Sequence, residues 1–179
     1  MSPFMRRLAL VLIGAAVVDS GRAMSSSQVQ DAITRDQWKV AEGEDENQPL
    51  VVRFRSELQT VEDVSGYPQL LLVNWNYEAD ERGMPKESEL ESLDDFEDVL
   101  TEALEKDFHS ALACVITTEG SRQWVFYSSN VDEAALRINA MPQKEHPYPI
   151  ELLADDDEEW VYFKDNILGE CEDEDAADE

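Results

Sequence analysis

Residues 88–108 read SELESLDDFEDVLTEALEKDF. Leu90, Leu93, Phe96, Leu100, Leu104 and Phe108 recur at steps of three and four, and Asp, Glu and Lys fill most positions between them. That spacing lines one face of an α-helix of about 20 residues. Ser88 and Glu91 have the Ser-x-x-Glu form of a capping box, which sets the expected start. A helix with such a stripe must lie on an apolar surface, and the flanking segments supply one. Upstream, Leu70 to Tyr77 (LLLVNWNY) predicts a strand with Leu71, Val73, Trp75 and Tyr77 on one face. Downstream, Ala111 to Thr118 (ALACVITT), a turn at Glu119-Gly-Ser-Arg122 and Gln123 to Ser128 (QWVFYS) predict a hairpin. Asn130, with Glu133 three residues on, is an N-cap for a second helix over 131–141 that turns Ala134, Ala135, Ile138 and Met141 inward. Pro142 ends it.

Tyr148 to Leu153 follows as a strand, then Trp160 to Phe163 as a helix turn or a strand. Ahead of the core, Leu50 to Glu57 (LVVRFRSE) alternates, with Val52 and Phe54 on one face and Arg53 and Arg55 on the other. That is the period of a half-buried strand. Residues 24–37 are expected to be a linker, followed by a brief element at Trp38 to Ala41 and a turn. The order is β-β-α-β-β-α-β. Without its first strand it is the split βαβ pattern. The expected fold is α+β: a ferredoxin-like two-layer sandwich, an antiparallel sheet with two helices on one face and an extra N-terminal strand. The domain covers 38–168, and 169–179 is expected to be an acidic disordered tail.

The chain has 179 residues with 14 Lys+Arg against 41 Asp+Glu, a net charge of −27, and 42% apolar residues. The length fits one domain, and the apolar share can fill its core. A nucleic-acid binder that neutralises phosphates needs a basic face, which this charge balance denies it. Docking on anionic lipid is disfavoured for the same reason.

Residues 1–23 differ from the rest. Arg6 and Arg7 precede an eleven-residue apolar run, Leu8 to Val18, and small residues stand at Gly21 and Ala23. This is the pattern of a signal peptide cleaved after Ala23, and implies a periplasmic or secreted protein. The run is shorter than the roughly 20 residues of a membrane span. The alternative is translation from Met24 and a cytoplasmic protein. The two cysteines, Cys114 in an apolar run and Cys171 in the acidic tail, read as unpaired thiols.

Signs of chemistry are sparse. No P-loop, G-x-G-x-x-G, H-E-x-x-H, C-x-x-C or G-x-S-x-G occurs. Asp155 to Glu159 lacks the glycine and ligand spacing of a calcium loop and reads as a solvated acidic turn. His109, behind the long helix, is placed where the helix dipole favours a protonated imidazole. No metal site and no cofactor are expected. The aromatic residues either fill the helix–sheet core or form a binding surface from Trp75, Tyr77, Arg122, Trp124 and Tyr127, since exposed Trp and Tyr act as anchors.

Several stretches also carry a resemblance: Val73-Asn-Trp-Asn-Tyr77, Gly83-Met-Pro85, Phe96 to Leu104, Thr-x-x-Gly-x-Arg-x-Trp-x-Phe-Tyr over Thr117 to Tyr127, and Tyr148-Pro-Ile-Glu151 with Trp160 after it. In this order, over residues 38–168, the chain resembles the bacterial domain-of-unknown-function family 695. The resemblance implies no established activity. Some relatives carry the label of a regulator of cell autolysis. Others are fused to a domain similar to the regulator of ribonuclease activity B, a small acidic inhibitor of an endoribonuclease. Most relatives are cytosolic, and an export signal departs from that. The expected function is a non-enzymatic binding or regulatory domain whose acidic surface docks a basic protein partner, by analogy a nuclease or an autolysin. The alternative is a small-ligand-binding protein or enzyme with a pocket near Arg122 and Trp124.

Overall fold

The computed structural model describes residues 6–7, 27–45, 48–144 and 146–169. The run at Leu70–Val73 is apolar at consecutive positions, so both faces of that strand need cover. It forms β4 (Gln69–Asn76), with β6 (Ser121–Ser128) on one side and β7 (Ile150–Asp156) on the other. β5 (Ser110–Thr118) pairs with β6, β3 (Gln48–Arg55) with β5, and β2 (Trp38–Asp45) with β3. A two-residue β1 (Arg6–Arg7) lies along β7. The order is β1-β7-β4-β6-β5-β3-β2, antiparallel throughout. Beyond the core pattern the sheet gains two N-terminal strands, β2 and β3, where one was expected. Between β5 and β6 the chain reverses through Glu119 and Gly120, both at positive φ (47° and 76°), which suits the twist of a two-residue hairpin.

One face carries α2 (Glu87–Glu105) and α3 (Val131–Ala140). Leu93, Phe96, Leu100 and Leu104 of α2 meet Leu71, Val73, Trp75, Leu112, Trp124 and Phe126 of the sheet. Phe96 sits at the centre, its ring 5.1 Å from Trp75, 5.0 Å from Trp124 and 4.8 Å from Tyr148. The Asn130 side chain accepts from the Glu133 N–H at 2.9 Å and caps α3 as expected. The start of α2 differs. Lys86 takes the cap position without a side-chain bond, so Ser88 and Glu91 form no capping box. The Lys86 N–H bonds to the Glu78 carbonyl and residues 79 and 85 form a bridge, which delivers the chain to the helix two residues early. α2 ends at Glu105, and Phe108, at φ 58°, turns away half-exposed.

The opposite face is also covered. The expected linker is a helix, α1 (Ser27–Arg35), whose Val29 and Ala32 are buried with Ile33 beside them. Three apolar residues in SQVQDAITR make a stripe too thin to stand out from a polar segment. Leu58, Val61, Val64, Tyr67, Trp160, Phe163 and Leu168 complete this layer, the last two from a π-helical segment, Tyr162–Leu168. On the polar face of β3 Arg55 is buried and Arg53 only partly exposed, because both reach carboxylates of α2. Arg55 is 2% exposed and donates to Glu105 (2.7 Å), Asp36 (2.9 Å) and the Leu112 carbonyl (3.2 Å). Arg53 pairs with Glu97, which also accepts from the Trp124 indole at 2.8 Å. The Trp38 ring lies 4.7 and 4.8 Å from the two guanidinium carbons. Burying such charges is tolerated only when they are paired. Apart from β1, the expected signal peptide lies outside the described residues, as does the tail beyond 169 with Cys171.

Candidate functional site

The five residues expected to form a binding surface do not converge on one. Trp75 and Trp124 are buried in the α2 layer against Phe96. Tyr77 is buried and donates to the Gly83 carbonyl at 3.0 Å. Arg122 stands opposite Trp75 in the β4–β6 register and binds Thr117 and Asp94, each at 3.2 Å. Tyr127 points through the other face and stacks on Trp160, 4.1 Å apart and 12° from parallel. Alternation along β6 separates it from Trp124, and the two covering layers bury both. A cleft of about 230 Å³ opens beside Trp75 towards Lys144, His146 and Tyr148, but neither Arg122 nor Trp124 lines it.

Among the described residues, His109 and Cys114 are held in buried or partly buried contacts. The His109 Nδ1 lies 3.1 Å from the Ser110 hydroxyl and 3.4 Å from that of Ser128, yet both serines are fully buried and bond to each other at 2.9 Å. Burial, with the Arg137 charge behind it, lowers the His109 pKa. The expected dipole effect is absent because α2 stops at Glu105, short of the imidazole. Cys114 is buried. Among the described residues, no group of His, Cys, Asp or Glu is placed to hold a metal ion.

The acidic turn after β7 is the built feature. Asp157 turns inward. Its Oδ1 accepts from the Val161 N–H (2.8 Å), and its Oδ2 from the Tyr162 N–H (2.9 Å) and the Tyr127 hydroxyl (2.7 Å). The same hydroxyl accepts from the Phe163 N–H at 3.1 Å. Trp160 is fully buried at φ 61°, a conformation bulky residues rarely adopt, and its indole donates to the Tyr67 carbonyl at 2.9 Å. This frame holds Glu158 and Glu159 outward. Facing them is the segment after Leu58, where Asp63 accepts from the Ser65 N–H and hydroxyl. Glu62, Asp63, Glu158, Glu159 and Asp165, with Lys164 and the half-exposed Val161, line a groove of about 490 Å³. Five carboxylates there meet one ammonium. Reading the sequence marked one wall, Asp155 to Glu159, as a solvated turn. It missed the other wall, because Glu62 and Asp63 are brought near only by the fold.

A family model, Family of unknown function (DUF695), matches residues 36–168. The chain belongs to the DUF695 family. Nothing among curated proteins or solved structures matches it. The DUF695 span runs from the turn before β2 to the end of the π-helical segment, so both walls of the groove lie inside it. α1 lies just ahead of the span and supplies cover to a sheet of which β2 to β7 lie within it and β1 outside it.

Proposed function

We propose that this DUF695 domain is a non-enzymatic binding or regulatory module whose acidic groove docks a basic segment of a protein partner. The observation that carries the reading is the groove itself: five carboxylates and an exposed valine held on a frame tied to the core by Tyr127, Asp157 and Trp160. Such a site steers a cationic partner and selects it by charge. Nucleic acid is not among the partners the charge favours, and among the described residues no helix is long and apolar enough to cross a membrane. Strand order β7-β4-β6-β5, with α2 and α3 on one face, supports a ferredoxin-like core to which the β2–β3 hairpin is added. Export after Ala23 is the proposed fate of the N-terminus, with a cytoplasmic Met24 start as the alternative; N-terminal sequencing of the protein from its host separates them.

The docking test is capture of host proteins on the immobilised domain, beside the Glu158→Lys/Glu159→Lys variant. Washes rise from roughly 0.05 to 0.5 M salt, across which screening shortens several-fold. The expected result is a basic protein retained by the wild type, released by salt and lost from the variant. Identical captures on both proteins would refute the reading.

A further inference from the structure

We propose a second docking surface, the outer edge of β2, which takes up an extended basic segment of a partner as an added antiparallel strand. It shares the partner chemistry of the preceding reading but lies at the other edge of the sheet from β7.

The backbone phase follows from one bond. The Ser56 N–H bonds to the Gln37 carbonyl at 2.9 Å, and these residues continue the β2–β3 register. In an antiparallel ladder the inward- and outward-pointing residues alternate. Gln37, Lys39, Ala41 and Gly43 therefore direct their N–H and C=O groups at β3. Trp38, Val40, Glu42 and Glu44 direct theirs outward, where the sheet order ends. Such an edge templates pairing unless something blunts it. Among the described residues no further strand pairs with this edge, and its outward-facing half is guarded only by charge of one sign, Glu42 and Glu44. β2 has eight residues, no proline and an unbroken register with β3. Its one lysine, Lys39, has its backbone groups turned inward.

The side chains on this flank specify the occupant. Val40, Glu42 and Glu44 share the α2 face of the sheet, Val40 is 60% exposed, and both glutamates are exposed. Neither glutamate forms an ion pair among the described residues. Side chains directly opposite in adjacent strands lie on the same face and interact. An incoming antiparallel strand thus meets Glu44, Glu42 and Val40 in that order, at every second residue. The matching sequence is basic-x-basic-x-apolar. A second copy fits poorly: a twofold axis normal to the sheet sets each glutamate against glutamate, Val40 or Trp38, and brings together two chains of −27.

The probe is a fluorescent peptide, Thr-Lys-Thr-Lys-Thr-Val-Thr, followed by anisotropy on the full chain. The expected result is saturable binding that weakens at least tenfold, by the estimate for a charge-guided contact, in each of three changes: Glu42→Lys/Glu44→Lys, Val40→Pro, and methylation of the peptide's own backbone nitrogens. Proline at Val40 removes an outward N–H and leaves the β3 ladder whole. Should that variant fail to fold, the methylated peptide tests the same ladder on the unaltered protein. No saturable binding, or binding indifferent to methylation, overturns the inference. So does a concentration-dependent doubling of mass that Glu42→Lys/Glu44→Lys alters, since the edge then belongs to a second copy. Glu158→Lys/Glu159→Lys should leave peptide binding intact. If it abolishes binding instead, the peptide sits in the groove, and this inference falls while the groove reading stands.

Discussion

Replacing Tyr127 with Phe removes one oxygen from beneath the groove and leaves the ring on Trp160 undisturbed. Two hydrogen bonds go with it, the donation to Asp157 at 2.7 Å and the acceptance from Phe163 at 3.1 Å. A bond to a charged group contributes about 1.5–3 kcal/mol, and a buried amide left without a partner costs about 1–3 kcal/mol. Asp157 keeps the Val161 and Tyr162 N–H groups, so the two costs are not fully additive and the expected loss is about 2–4 kcal/mol. For a domain of this size ~3 kcal/mol lowers the melting temperature by roughly 6–12 °C. The hydroxyl is a donor wherever the chain is folded, because burial and the Asp157 carboxylate push its pKa above the usual phenol range. Tyr148→Phe is the control. Its hydroxyl reaches the Pro142 carbonyl at 3.3 Å from a partly exposed position, so water replaces the bond and the loss stays under about 1 kcal/mol. Urea unfolding followed by tryptophan fluorescence, with thermal melts alongside, measures both. Equal losses in the two variants would refute the idea that Tyr127 and Asp157 anchor the acidic turn.

Phe96→Ala opens the aromatic cluster under α2 and should cost about 3–5 kcal/mol. Asp95→Ala gives up only an exposed pair with Lys144 and should cost under about 1 kcal/mol; urea midpoints in the reverse order would show that the helix phase is wrong. Because the His109 pKa is lowered on folding, the unfolded chain binds its proton more readily. The resulting stability is complete above a pH of about 6.5 and is lost as pH falls below it. His109→Gln should flatten the melting-temperature profile as pH falls below about 6.5, and an unchanged slope counts against the imidazole. Arg137 holds the Asp107 pKa down at about 2, against 3.8 in the unfolded chain. That contribution is present above 3.8 and lost as pH falls towards 2, so Asp107→Asn should weaken the acid dependence of melting across that interval alone.

The stripe from Leu93 to Leu104 was legible because one periodicity survives along a helix lying on a continuous apolar floor. Its ends were not, since the bridge between residues 79 and 85 and the left-handed turn at Phe108 set them. Arg53 and Arg55 alternate with buried residues as a solvent face would. Only the placement of Glu97 and Glu105 on α2 turns them into an ion-paired seam, with Arg55 buried and Arg53 partly exposed. The Trp and Tyr residues were ambiguous for a related reason. Alternation assigns a face, but whether that face is covered depended on α1 and the C-terminal segment, one too polar and the other too short to declare itself. In the acidic turn five carboxylates look alike. Asp157 is singled out by Tyr127, 30 positions away on β6.

Charge pairing is spread unevenly over the acidic surface, and the groove and the β2 edge lie where it is sparse. Among the described residues, eight of the chain's 14 Lys and Arg form ion pairs. Five of these reach carboxylates on α2 or just beyond its end: Arg53, Arg55, Arg122, Arg137 and Lys144 bind Glu97, Glu105, Asp94, Asp107 and Asp95. Four of the nine acids of α2, Asp94, Asp95, Glu97 and Glu105, are thus neutralised from inside the fold. Of the other cations, Arg6, Arg7 and Arg22 stand ahead of residue 24, which leaves Lys39, Lys106 and Lys164. Glu62, Glu158, Glu159 and Asp165 share a groove with Lys164 alone, and Glu42 and Glu44 face outward from the last strand. At those four positions an arriving cation must compete with a guanidinium or ammonium already in place. In the groove it meets at most the Lys164 ammonium and along β2 no cation that pairs with Glu42 or Glu44, so both surfaces suit a basic partner whose binding weakens when salt is raised.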